Sequence, residues 1–95
     1  MNDGSLIRTA FIKNRRGLHA RAAARFVKVA GEFSADIMVS RSGQSVSGTS
    51  IMGLMMLAAA IGSEIELRAT GLDAEAALDA LCVLIENKFG EDQPT

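Results

Sequence analysis

Between Leu6 and Lys13, β-branched, apolar and aromatic residues alternate with polar ones without a clean period, which predicts a first strand and leaves its register open. Beyond the polar loop Asn14 to Gly17 the spacing becomes helical. From Ala20, residues Ala23, Phe26, Val27 and Ala30 fall on one face and Arg21, Arg25, Lys28 and Glu32 on the other, with Gly31 as a stop. Two short strand-like runs follow, Asp36 to Ser40 and Gln44 to Ser47, and the Ser42-Gly43 pair between them reads as a tight hairpin turn. Ser50 then offers an N-cap oxygen to a short helix from Ile51 to about Ala59, in which Leu54 and Leu57 belong to the core. Its third position is Gly53, so the reciprocal capping box is missing and the helix depends on packing.

The clearest strand is Glu64 to Ala69, where polar and apolar residues alternate with period 2. After Gly71, Asp73 and Glu75 load a helix start with negative charge. Ala74, Ala77, Leu78, Leu81, Leu84, Ile85 and Phe89 then form its buried stripe, up to a stop at Gly90. The tail from about Glu91 to Thr95 is expected to fray. The order βαββαβα puts four strands and three helices into 95 residues. So short a chain buries them as one domain only by laying all three helices on one face of a single sheet, an α+β open-faced sandwich.

Composition narrows the chemistry. Four phenylalanines are the only aromatics, which disfavours nucleic-acid modules that stack bases on aromatic platforms. The net charge of −1 conceals an asymmetry: Arg8, Lys13, Arg15, Arg16, Arg21, Arg25 and Lys28 lie in a stretch, 4–31, that holds no acid. The remainder from Glu32 is acidic, so the natural complement of the basic part is an acidic or phosphorylated protein surface, while DNA would be repelled by the rest. Lone Cys82 excludes an internal disulfide and falls on the buried stripe of the last helix, as an inert core residue. One histidine and one cysteine do not assemble a metal site without several carboxylates. The polar start lacks a signal-peptide pattern, and the apolar run Ile51 to Ile61 is too short to cross a bilayer, so a cytoplasmic protein with no membrane insertion is expected.

The candidate chemistry sits at His19. In Gly17-Leu18-His19-Ala20-Arg21 a glycine turn meets a helix start, where backbone N–H groups lack intrahelical acceptors and carry partial positive charge. An imidazole placed there can carry a phosphoryl group that those donors and Arg21 stabilise. Phosphoryl transfer spreads charge over three equatorial oxygens, so a carrier needs a neutral nitrogen nucleophile, fixed donors and in-line access.

That run, with Ser50-Ile51-Met52-Gly53-Leu54-Met55 about thirty residues later, resembles the HPr family, the histidine phosphocarriers of the bacterial phosphoenolpyruvate-dependent phosphotransferase system. The resemblance spans about Leu6 to Phe89 and implies a sheet of strand order 1-4-2-3. It implies that His19 accepts the phosphoryl group on Nδ1 from phosphorylated enzyme I and passes it to IIA-type acceptors, with Arg21 beside the phosphate. The carrier catalyses no net turnover and needs no cofactor. By the same resemblance Ser50 is the regulatory serine of an HPr kinase, beside its plain reading as an N-cap. Ile51, Met52 and Met55 fit an exposed docking patch, and Arg15, Arg16 and Arg25 fit partner steering. The family is usually monomeric. Ala22 departs from it, since proline is usual there, and Thr49 stands where many members carry lysine.

Two other readings stay open. A regulatory phosphotransfer protein of a nitrogen- or carbon-control branch would use the same chemistry at His19, without sugar transport. A small binding module of this fold would have no phosphoryl chemistry at all.

Overall fold

A computed structural model describes residues 4–92. Its elements are β1 (Leu6–Phe11), α1 (Ala20–Ala30), β2 (Asp36–Arg41), β3 (Gln44–Ser47), α2 (Ile51–Met56), β4 (Glu64–Thr70) and α3 (Ala74–Glu86), followed by a 3-10 turn at Lys88–Gly90. The strands form one antiparallel sheet in the order β1-β4-β2-β3, with the helices packed on one face: the expected open-faced sandwich.

Pairing resolves the register that the sequence left open in β1. Leu6, Arg8 and Ala10 lie opposite Ala69, Leu67 and Ile65, whose side chains are buried, so the even positions face the helices. Ile7, Thr9 and Phe11 therefore share the open face with Arg68, Glu66 and Glu64. An edge strand with half-exposed apolar residues shows no clean alternation, which is why its period was not legible. Arg8, turned to the helical side, pairs with Asp79 of α3 at 2.7 Å.

The core gathers Phe26 and Ala23 of α1, Leu54 of α2, Ile37, Val39, Ile65 and Leu67 of the sheet, and Leu78, Leu81 and Ile85 of α3. Ala22 is also fully buried, whereas Val27 is only half-buried, so the buried face of α1 is turned slightly from the expected one. Cys82 likewise lies at the margin of its stripe, half-buried instead of enclosed. Ser42 and Gly43 both take positive φ, 50° and 82°, as the tight hairpin requires.

Two helix ends differ from expectation. α2 stops at Met56 because Ala58 adopts a left-handed φ of 53°, which turns the carbonyl of Ala59 toward the loop before α1. α3 stops at Glu86, and Phe89 reaches the core through the 3-10 turn instead of along the helical stripe. The tail expected to fray from Glu91 is held at its first two residues: Glu91 hydrogen-bonds Asn14 and His19, and Asp92 accepts from the N–H of Arg15. Residues 93–95 lie outside the described residues.

Candidate functional site

The loop 14–17 and the start of α1 are held from three sides. Gly17, at φ 65°, returns the chain, and its N–H donates to the carbonyl of Asn14. A Cβ on Gly17 would stand 2.3 Å from the carbonyl oxygen of Ala59, so glycine is needed both for backbone sign and for close approach. The N–H of Leu18 donates to that same Ala59 oxygen at 2.9 Å. Thus the early end of α2 helps fix the residue that precedes His19, since the loop after α2 meets the loop before α1 through the backbone.

His19 occupies the N-cap position of α1 with extended backbone, its carbonyl accepting from Ala23 while its side chain makes no cap. The imidazole is 17% exposed, and its Nε2 lies 2.5 Å from Oε2 of Glu91. Nδ1 makes no hydrogen bond among the described residues. His19 lines an open pocket of about 200 Å³ with Arg16, Leu18 and Ala58, Ala59 and Ala60. Arg21 is exposed one position inside α1, with no hydrogen-bond or ion-pair partner among the described residues. The first-turn N–H groups of Ala20, Arg21 and Ala22 have no intrahelical acceptor, so the helix head is suited to an anion.

Beneath the site, Asn14 is the sole buried polar side chain among the described residues. Its amide nitrogen donates to the carbonyl of Gly17 at 2.8 Å and to Oε1 of Glu91 at 2.9 Å. Burial works to raise the pKa of Glu91. The hydrogen bonds from Asn14 and His19, together with electrostatic attraction from His19 and Arg16, outweigh it and hold the carboxyl below the usual range.

The other expected residues are distributed around this centre. Arg15 and Arg16 are exposed on the loop, with Arg16 on the pocket wall. Arg25, one turn beyond Arg21, is exposed and donates to the carbonyl of Phe89, so it ties α1 to the C-terminal turn. The Ser50 hydroxyl accepts from the N–H of Gly53 at 2.9 Å, the expected N-cap of α2. Ile51, Met52 and Met55 are exposed on α2, which packs against α1, and Met52 is 69% open to solvent. Met56, 64% exposed, belongs to the same surface and was not anticipated. Nor were Asn14 and Glu91: no local period links residues 77 apart.

No helix among the described residues is long and apolar enough to cross a membrane. The profile of the PTS-HPr family, described as the PTS HPr component phosphorylation site, matches residues 7–87. The chain is 49% identical over 88 residues to the phosphocarrier protein HPr of Cupriavidus necator, covering 93% of this chain and 99% of that one. It is 44% identical to the phosphocarrier protein NPr of Shewanella violacea, over 90% and 94% of the two chains. The fold superposes on a crystal structure of HPr from Thermoanaerobacter tengcongensis with a TM-score of 0.88 and 46% identity, over 93% of this chain and 99% of that one; an HPr dimer from the same organism is also similar. With its helix-head histidine, its sheet order and these relatives in agreement, the chain belongs to the HPr family of phosphotransferase-system phosphocarriers.

Proposed function

We propose that His19 takes a phosphoryl group on Nδ1 from phosphorylated enzyme I, with phosphoenolpyruvate as the ultimate donor, and hands it to a IIA-type acceptor. The observation that carries this reading is the state of the ring: Nε2 is engaged by Glu91, while Nδ1 has no partner among the described residues and the ring borders an open pocket at a helix head. In-line attack by a neutral nitrogen suits the loose, highly charged transition state, and Arg21 with the first-turn N–H groups meets the equatorial oxygens. Arg15 and Arg16 steer acidic partners, and Ile51, Met52, Met55 and Met56 supply an adaptable apolar contact. The protein acts in the cytoplasm as a monomer and as a carrier with no turnover of its own. Light scattering distinguishes that state from a dimer.

Ser50 is the acceptor for a regulatory HPr kinase in this reading. Phosphate there is compatible with the helix start and adds negative charge to the docking side. The similarity to an NPr favours a second reading, in which the same chemistry serves a nitrogen-regulatory branch instead of sugar uptake. The two differ in acceptor, a sugar-permease IIA domain or a soluble regulatory one, so transfer from the phosphorylated carrier to each separates them.

The direct test is labelling with phosphoenolpyruvate and enzyme I. Label that is acid-labile, base-stable and absent from His19→Ala supports the carrier chemistry. No label with a competent enzyme I rejects it in favour of a binding module.

A further inference from the structure

Carrier chemistry assigns no task to the contact between Glu91 and His19, although the two lie 72 residues apart and the fold is built to join them. After α3 ends, Lys88 and Phe89 take left-handed φ values of 57° and 55°, a conformation uncommon outside glycine, and Gly90 follows at 76°. This reversal drives Phe89 into the core, and Arg25 grips its carbonyl. Two residues beyond that anchor, Glu91 lands at the head of α1. The orientation of buried Asn14 there follows from its partners, since the Gly17 carbonyl and Glu91 Oε1 are both acceptors and must face its nitrogen. A buried amide therefore holds the carboxylate, and the carboxylate holds the ring.

We infer that Glu91 is a positioning residue for His19, whose carboxylate keeps the ring proton on Nε2 and leaves the lone pair on Nδ1. The inference rests on the carrier reading and deepens it. An ionised carboxylate only accepts hydrogen bonds, so the nitrogen that meets it carries the hydrogen. Neutral imidazole has one N–H, and placing it on Nε2 makes Nδ1 the nucleophile.

In the accepting step the Nδ1 pair forms a bond to phosphorus while the donor's bond to phosphorus breaks and its electron pair returns to the donor. In the delivering step the Nδ1–P bond breaks, its pair returns to Nδ1, and the departing group is neutral imidazole instead of imidazolate. The proton stays on Nε2 in both directions. The ring gains positive charge as Nδ1 bonds phosphorus, and a carboxylate stabilises that charge better than a neutral acceptor does. With the opposite tautomer the lone pair lies on Nε2, and Nδ1 has to lose its proton before it can bond phosphorus.

The test uses the full chain with 15N-labelled histidine, where His19 gives the lone imidazole signal. Two-bond 1H–15N correlations at about pH 8.5, above the ordinary imidazole titration, report the tautomer in wild type, Glu91→Ala and Glu91→Gln. Wild type is expected to show the Nε2–H form alone. Glu91→Ala is expected to show a mixture and to accept phosphoryl groups from enzyme I about ten- to a hundredfold more slowly, the scale of loss when the hydrogen-bond partner that orients a metal-ligating imidazole is removed. Glu91→Gln, whose amide oxygen still accepts from Nε2–H, is expected to restore the tautomer and much of the rate. A Glu91→Ala protein with wild-type ring spectra overturns the assignment, whether its rate is normal or slow. Wild-type protein that takes no label from an active enzyme I overturns the carrier reading instead, whatever the spectra show.

Discussion

Gly17 is a position where two demands meet in one residue. Its φ of 65° disfavours any side chain, and the Ala59 oxygen occupies the place of a Cβ. Gly17→Ala is expected to cost at least about 2 kcal/mol, from left-handed strain and from displacement of a carbonyl that also receives Leu18; the shift of the urea midpoint measures it. Asn14 works by the opposite logic, since it is a buried polar group retained because both of its amide hydrogens are used. Asn14→Ala leaves the Gly17 carbonyl and a carboxylate oxygen of Glu91 without that donor, for a loss of about 1–3 kcal/mol in the same assay. The sequence marks His19 and Arg21 by their place at a helix head. It gives no local sign of Asn14 or Glu91, because a hydrogen bond across 77 residues leaves no period in the chain.

At the scale of elements, helix α2 is the instructive case. Six residues without a capping box form a helix because Ser50 caps Gly53 and Leu54 is buried beneath them. Ser50→Ala is expected to cost about 1 kcal/mol in thermal or urea unfolding. Ser50→Asp keeps a competent N-cap and so retains stability, while its charge weakens binding to acidic partners. Calorimetry of both variants, unfolding and binding, separates the structural role of Ser50 from the proposed regulatory one: a Ser50→Asp protein that binds enzyme I as tightly as wild type removes the electrostatic basis for regulation. The start of α2 was legible from Ser50 and the apolar run behind it. Its end was not, because alanine carries no stop signal and only the demand for the Ala59 carbonyl at Leu18 makes Ala58 turn left-handed.

Charge organises the whole molecule. The basic segment carries the His19 loop and α1, while the acidic remainder sends Glu91 and Asp92 back to that loop. Because the folded pKa of Glu91 is lowered, its contribution is complete above the unfolded value, roughly 4.3, and is lost as pH falls through the folded value. The stability difference between wild type and Glu91→Gln is therefore expected to shrink as pH drops from about 5 toward 3, in urea titrations at each pH. If that difference stays constant, ionised Glu91 does not tie the C-terminus to the site. Association with an acidic partner is expected to slow as salt rises, since exposed Arg15 and Arg16 act beyond contact only within the Debye length; stopped-flow rates at low and high salt check this.

Local periodicity determined the element order and sheet-forming segments, and the glycine turn before a helix start marked His19 as the candidate phosphoryl acceptor. Those features depend on neighbours within a few residues, where propensity, capping and amphipathic spacing act. Tertiary structure alone decided the register of edge strand β1, the early ends of α2 and α3, and the arrival of Glu91 at the imidazole. Each of these is set by a partner distant in the chain, a facing strand, a carbonyl needed by another loop or a core site for Phe89, and such partners exist only once the chain has closed on itself.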